Sequence, residues 1–124
     1  MKKVFYNKLI RDKIPDQIRN NQGEFEVREL GDEEFEQELL KKINEEASAL
    51  SRVRSRQEFL DELADLEIVV DEIKRLQNIS PQEIEETKQA NLARKGGFER
   101  KLFLHWSSDL NYKSNETPQG IKDK

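Results

Sequence analysis

Residues 60–73 read LDELADLEIVVDEI, and this stretch decides the fold because its apolar residues recur at helical spacing. At about 100° per residue, one face of the helix carries five aliphatic side chains: Leu63, Leu66, Val69, Val70 and Ile73. Glu62 falls inside this apolar sector, and Asp65 lies on its flank. A buried carboxylate carries a large desolvation cost unless it is paired, protonated or bound to a metal. Because residues three apart on a helix point roughly the same way, this spacing suits a shared cation.

The segment FEQELLKKINEEASAL, residues 35–50, shows the same anomaly on a second amphipathic helix. Its predicted apolar stripe has five members: Phe35, Leu39, Ile43, Ala47 and Leu50. Glu46 lies near the middle of that stripe, where a simple helical bundle would place leucine. Two such helices predict a carboxylate cluster between them. Two alternatives stay open: Lys or Arg partners neutralise the acids within an ordinary core, or one of the helices is short and its buried face is not the one assigned here.

The composition limits the classes of protein that fit. The chain has 124 residues, enough for one domain, with 39% charged and 34% hydrophobic residues. This balance suits long amphipathic helices and an oligomer that shares its core. A net charge of −4 gives no broad basic surface, so we do not expect nucleic acid as the primary partner.

Residue types narrow the chemistry further. There is no cysteine and only one histidine, which excludes disulfides, thiolate nucleophiles and zinc–sulfur sites. No apolar run is long enough for a membrane span, and the first residues, MKKVFYNKLI, lack a signal-peptide core. We therefore expect a cytoplasmic protein without membrane partners.

Capping and turn residues divide the chain into elements. Four helices are predicted, at residues 11–21, 33–52, 57–77 and 81–95. The clearest helix start combines Ser80 as N-cap, Pro81 at the first helical position and Glu83 in a capping box. Alternating apolar residues predict a short strand or an extended arm at residues 1–10, and short strand-like segments at residues 25–30 and 98–106.

The predicted fold is therefore an all-α, antiparallel helical bundle with short N-terminal and C-terminal strand-like segments. It forms one domain over residues 1–106. The polar, aperiodic composition of residues 107–124 predicts a flexible tail.

Carboxylates clustered between helices, without His or Cys, are typical of a site for a hard cation. Mg²⁺ prefers oxygen ligands and usually shares its coordination shell with substrate phosphates, and Mn²⁺ can substitute for it. The chemistry that fits such a site is cleavage of a phosphoanhydride. Cationic side chains at the rim would hold the remaining phosphates. The candidates are Lys8, Arg11, Lys13, Arg94 and Lys95.

Four segments occur in an order known from one enzyme family. They are YNKLIRDKIP at residues 6–15, INEEASAL at 43–50, LDELADLEIVVDEI at 60–73 and RKGGFERKLFL at 94–104. The opening and closing segments are specific as a pair. In this pattern the chain resembles the MazG-like, all-α nucleoside triphosphate pyrophosphohydrolases, which are related to phosphoribosyl-ATP pyrophosphohydrolase.

Members of this family bind Mg²⁺ with an EExxE motif on one helix and an ExxD motif on the next. The resemblance places Glu45 and Glu46 in the first two positions of EExxE, and Glu62 and Asp65 in ExxD. Ala49 takes the place of the last acid, so one expected metal ligand is a methyl group here. Three carboxylates with phosphates and water can still complete a Mg²⁺ shell.

The resemblance implies hydrolysis of a nucleoside triphosphate to a nucleoside monophosphate and pyrophosphate, which removes non-standard or surplus nucleotides. The implied catalytic residues are Glu45, Glu46, Glu62 and Asp65. The implied metal ligands are Glu46, Glu62 and Asp65. The implied substrate-binding residues are Lys8, Arg11, Arg94 and Lys95. Glu45 is either the base or a supporting residue, and the family likeness implies a homodimer or higher homo-oligomer.

Two other functions stay open. The chain is either a catalytically impaired nucleotide-binding or regulatory homologue, because of Ala49, or a helical interaction protein whose buried acids are salt-bridged to residues such as Lys42.

Overall fold

The computed structural model describes residues 2–108 and residue 119. This part of the chain forms four helices and no strand: α1 (Ile14–Asn20), α2 (Asp32–Leu50), α3 (Arg56–Leu76) and α4 (Pro81–Lys95). The predicted all-α class is confirmed. The chain divides into two units, Met1–Thr87 and Lys88–Lys124. The predicted domain boundary after residue 106 stays a prediction, and most of the predicted tail lies outside the described residues.

The strands predicted at residues 25–30 and 98–106 are wrong, and of the two alternatives for residues 1–10 the strand is wrong. Where the structure describes these segments, they are irregular chain. Alternating apolar side chains give a strand only when a neighbouring strand supplies partners for its backbone groups. The alternation in these short segments was therefore not sufficient to specify a sheet.

Serine N-caps mark the starts of α3 and α4. At α4, the Ser80 hydroxyl accepts a hydrogen bond from the Glu83 backbone N–H at 3.0 Å, as predicted. At α3, the Ser55 hydroxyl accepts from the Glu58 backbone N–H at 3.1 Å. The Glu58 carboxylate in turn accepts from the Arg54 backbone N–H at 2.9 Å. This second cap marks the end of the basic linker and the start of α3.

Helices α2 and α3 form an antiparallel hairpin, joined by residues 51–55. They are the pair of helices that pack against each other in the described structure. The side chain of Gln77, just after α3, donates to the carboxylate of Glu36 near the start of α2. This bond joins opposite ends of the two helices, and it places the second half of α2 beside the first half of α3.

The core of the hairpin is small. Leu39 on α2 is 3% exposed and Val69 on α3 is 9% exposed. Half-buried apolar side chains surround them: Phe35, Ile43, Leu50, Leu63, Leu66, Val70 and Ile73. Ala47 is exposed, so its predicted place in the stripe is wrong. Ala47 is eight residues after Leu39, which places it about 80° further round the helix, at the edge of the face that packs on α3.

No helix in the described ranges is long and apolar enough to cross a membrane.

Replacing Leu39 by alanine is expected to lower the free energy of unfolding by about 2–4 kcal/mol, because it leaves a cavity at the best-buried position. The neighbouring Leu40 is 51% exposed, and Leu40→Ala is expected to cost less than about 1 kcal/mol. Urea unfolding of both variants measures the difference. Equal losses would contradict the core assigned here.

Candidate metal centre

Three acids predicted from the sequence meet between α2 and α3. One carboxylate oxygen from each of Glu46, Glu62 and Asp65 lies within 4.8 Å of the other two. All three residues are half-buried. Glu62 and Asp65 share a face because they are three residues apart on α3. The antiparallel hairpin brings Glu46 to them, so the predicted clustering of these acids is present in the fold.

Oε2 of Glu62 is the most informative atom of this cluster. It is inaccessible to solvent and has no hydrogen-bond partner among the residues described. A buried acceptor without a partner costs about 1–3 kcal/mol, and more when it is charged. A proton or a cation at this oxygen would remove that cost.

The pKa of Glu46 is raised above its ordinary value. Burial is the largest cause, followed by a hydrogen bond shared with Glu62 and the negative charges of Asp65 and Glu62. Lys42 opposes the rise by a smaller amount. The environment of Glu46 therefore favours its protonated form, and a divalent cation bound beside it would favour the ionised form.

Glu45, the neighbour of Glu46, has a different environment. Lys8 Nζ lies 2.8 Å from its Oε1, and Lys42 Nζ lies 3.3 Å from its Oε2. The hydrogen bond from Lys8 is the largest cause that lowers the pKa of Glu45, and Lys42 adds to it against the effect of burial. Glu45 is thus held as a carboxylate outside the triad, and its predicted catalytic role stays a prediction.

The position of Lys42 bears on the open alternative of salt-bridged acids. Lys42 pairs with Glu45 rather than with Glu46 or Glu62. Within the described ranges, neither Glu46 nor Glu62 has a cationic side chain within 4.0 Å. Asp65 does have a cationic neighbour, because Arg11 Nη1 lies 3.7 Å from its Oδ1. The two glutamates are therefore the members of the triad without an ion-pair partner.

The amino-terminal arm, residues 2–13, brings two predicted phosphate-binding cations to the same region. Lys8 and Arg11 reach Glu45 and Asp65, and the side chains of both cations are at least half exposed. They are thus accessible to a ligand at the acids. Their roles in binding stay predictions.

The other two predicted substrate-binding residues, Arg94 and Lys95, are exposed at the end of α4 in the second unit. Positive charge at a helix carboxyl terminus also suits the helix dipole without any ligand. Their substrate-binding role stays a prediction.

Beside the triad lies a cleft of about 250 Å³ at the end of α2. Its lining includes Ala49, Glu62 and two residues that the sequence reasoning did not single out, Arg52 and Asp61. Ala49 lies three residues after Glu46, so a longer side chain there would share the face of the triad. Arg52 is three residues after Ala49, so helical spacing could have placed both residues on the side of α2 that lines this cleft.

The three carboxylates could hold a metal ion, and their oxygens are ligands of the kind that hard divalent cations bind. Carboxylate oxygens are hard ligands, and Glu62 Oε2 is an acceptor that needs a positive partner. Three monodentate carboxylates fill half of an octahedral shell, which leaves positions for water and phosphate oxygens.

Comparison of the chain with protein-family models, with curated proteins and with solved structures finds no match. The likeness to the MazG-like enzymes rests on the four sequence segments and stays a proposal.

Proposed function

We propose that this protein is a Mg²⁺-dependent nucleoside triphosphate pyrophosphohydrolase. It would cleave the α–β phosphoanhydride to give a nucleoside monophosphate and pyrophosphate. The observation that supports it best is the triad of Glu46, Glu62 and Asp65, which combines close carboxylates with a buried, unpartnered oxygen. The motif resemblance supplies the reaction class, and the triad supplies a site for the cation that this reaction uses.

In this proposal Glu46, Glu62 and Asp65 hold Mg²⁺, or Mn²⁺ in its place. The cation neutralises phosphate charge, polarises the phosphoryl group and lowers the pKa of water near it. The acids of the triad fix its position relative to the arm that carries Lys8 and Arg11.

The remaining residues bind and orient the triphosphate. Lys8 and Arg11 lie beside the acids and stabilise phosphate charge, with the planar guanidinium of Arg11 suited to two phosphate oxygens. Arg94 and Lys95 are further candidates for phosphate contacts. Because its pKa is low, Glu45 is a weak base, and we assign it the supporting role of positioning Lys8.

The reaction balances as a hydrolysis. The oxygen of a water forms a bond to the α-phosphorus, and the bond between that phosphorus and the oxygen that bridges it to the β-phosphorus breaks. The leaving oxygen departs with pyrophosphate, and the proton of the water passes to a site carboxylate and then to solvent. The biological role in this proposal is the removal of non-standard or surplus nucleotides in the cytoplasm, by a homodimer or higher homo-oligomer.

The test measures the products formed from a panel of nucleoside triphosphates, with Mg²⁺ and with a chelator. We expect pyrophosphate and nucleoside monophosphate in equal amounts, and only in the presence of the metal. Release of orthophosphate would contradict the assigned bond. Absence of turnover with every nucleotide would contradict the enzyme.

A second candidate function is a nucleotide-binding or regulatory homologue with impaired catalysis. The cleft beside Ala49 favours it, because the side chain that faces Glu62 there has no ligand atom. This candidate predicts that Mg²⁺ and nucleotide together raise the melting temperature without turnover.

Ala49→Glu separates the two candidates. The cleft has room for the longer side chain, and the added carboxylate is expected to raise Mg²⁺ affinity by about tenfold. Ala49→Gln is the matched control, with similar size and no charge. Titration calorimetry and pyrophosphate release measure the outcome. Turnover by the native chain supports the enzyme, whereas turnover only in Ala49→Glu supports the impaired homologue.

A further inference from the structure

The cleft of about 250 Å³ beside the triad has walls whose chemistry the metal centre does not explain. It is lined by Ala49, Arg52, Val53, Glu58, Asp61 and Glu62, and of these Glu62 belongs to the triad. Pockets that hold a whole drug-sized ligand have about 300–1,000 Å³. The cleft is therefore sized for one part of a nucleotide and not for all of it.

The charge of the walls decides which part of a nucleotide fits. Three lining residues are acidic, namely Glu58, Asp61 and Glu62. Arg52 is the lining cation, and its guanidinium donates to the Ser48 hydroxyl at 3.2 Å. Three acids against one cation disfavour a phosphate, whereas carboxylates accept hydrogen bonds from hydroxyl groups. The cleft thus favours a neutral group that carries hydrogen-bond donors, such as a sugar.

Asp61 is the lining acid best placed to accept from a sugar. The Glu58 carboxylate accepts from the Arg54 backbone N–H at 2.9 Å at the start of α3, and Glu62 belongs to the triad. Oδ1 of Asp61 accepts from Gln57 Nε2 at 3.0 Å, and this bond holds the carboxylate in place. Because a carboxylate has about four lone-pair sites, Asp61 can accept further hydrogen bonds from a ligand.

The bond that the proposed hydrolysis cleaves places the sugar close to the metal. The cation acts at the α-phosphate, and one oxygen joins this phosphate to C5′ of the sugar. The sugar must therefore lie next to the triad, and Asp61 is the sequence neighbour of the triad residue Glu62. Lys8 and Arg11 do not line the cleft, so they remain for the β- and γ-phosphates.

On the basis of the function proposed above, we propose that the nucleoside of the ligand binds in this cleft, where the Asp61 carboxylate accepts hydrogen bonds from the hydroxyls of a ribose. The protein then binds a ribonucleotide more tightly than its 2′-deoxy counterpart. The base lies against Val53 and Arg52, since a planar guanidinium stacks on aromatic rings. Dinucleotide-binding folds also recognise the ribose 2′-hydroxyl with a carboxylate.

The experiment measures binding by titration calorimetry in the presence of Mg²⁺. The ligands are α,β-methylene analogues of ribonucleoside and 2′-deoxyribonucleoside triphosphates with adenine, guanine or cytosine, and inorganic tripolyphosphate, which has no nucleoside. For the base that binds best, we expect the ribonucleotide analogue to bind at least about tenfold more tightly than its 2′-deoxy counterpart, as for a hydrogen bond to a charged group. Tripolyphosphate should bind more weakly than the ribonucleotide analogue.

Two variants test the cleft separately. Asp61→Ala is expected to abolish the preference for ribose without weakening the binding of tripolyphosphate. Its matched control is Asp71→Ala, at an exposed acid of α3 outside the cleft and the triad, which should keep the preference. Ala49→Leu fills the cleft and is expected to weaken the ribonucleotide analogue by about tenfold, again without weakening tripolyphosphate. Circular dichroism checks that the variants are folded.

Equal affinity of the native chain for the ribonucleotide analogue and its 2′-deoxy counterpart would overturn the cleft assignment. A preference that survives Asp61→Ala, or unchanged binding by Ala49→Leu, would overturn it as well. If the native chain releases pyrophosphate without any ribose preference, this assignment fails and the proposed function stands. A ribose preference that depends on Asp61, in a chain without turnover, supports the assignment and counts against the hydrolase. Absence of binding by every ligand would overturn both.

Discussion

Replacing Glu62 by glutamine is expected to lower kcat/KM for pyrophosphate release by at least about 100-fold, while raising the stability of the metal-free protein by about 1 kcal/mol. The two effects have one cause. Oε2 of Glu62 is buried without a partner, beside Glu46 and Asp65. A neutral side chain of the same size removes the repulsion among these acids, and it also removes a ligand for the cation.

The matched control is Glu67→Gln on the same helix. Glu67 is exposed and lies outside the triad, so both activity and stability should stay near those of the native protein. Pyrophosphate release and urea unfolding, each with and without Mg²⁺, measure the two effects. A Glu62→Gln protein that is fully active and less stable than the native chain would show that Glu62 is a structural acid with an unrecognised partner.

Raising the pH is expected to lower the stability of the metal-free protein through Glu46 and to raise the affinity for Mg²⁺. In the folded protein the pKa of Glu46 is raised from an ordinary value of 4.5, mainly by burial and then by Glu62 and Asp65. The contribution of Glu46 to the stability of the metal-free protein is therefore fully present below about pH 4.5. It is lost as the pH rises through the pKa of Glu46 in the folded protein. Cation binding requires the ionised acids, so Mg²⁺ affinity should rise by up to about tenfold per pH unit across the same interval, for one proton released.

The stability effect is measured as the difference between the native protein and Glu46→Gln without metal. We expect the native protein to lose stability relative to Glu46→Gln as the pH rises above about 4.5. Glu45 has the opposite effect on the pH dependence of stability. Its pKa is lowered in the folded protein, so its contribution to stability is lost as the pH falls. That contribution is common to both proteins and cancels. A difference that does not vary with pH would contradict the assigned environment of Glu46.

The clustering of the three acids could be predicted from local helix geometry. A helix rotates by a fixed angle per residue, so the positions of Glu46 and Glu62 inside apolar sectors, and of Asp65 on the flank of one, could be read without knowing the fold. A linker of five residues then requires an antiparallel hairpin, which brings the two sectors together. The start of α4 was equally predictable, because Ser80 and Pro81 act within one helical turn.

Other features depend on contacts that no periodic pattern encodes. The arm before α1 is irregular, so the pairing of Lys8 with Glu45 and of Arg11 with Asp65 was not predictable from spacing. The Ser55 cap was missed because the surrounding basic residues have no apolar period. The apolar residues of 98–106 predict a strand from their sequence alone, but a strand needs a partner strand, and the described residues provide none.

Crystals soaked with Mn²⁺ and a non-hydrolysable nucleoside triphosphate test whether the triad binds a divalent cation. The prediction is an anomalous peak about 2 Å from carboxylate oxygens of Glu46, Glu62 and Asp65, with phosphate oxygens in the remaining positions. A map without a peak between these three acids, or with a lysine or arginine bonded to both Glu46 and Glu62, would contradict the proposed metal centre and the hydrolase built on it.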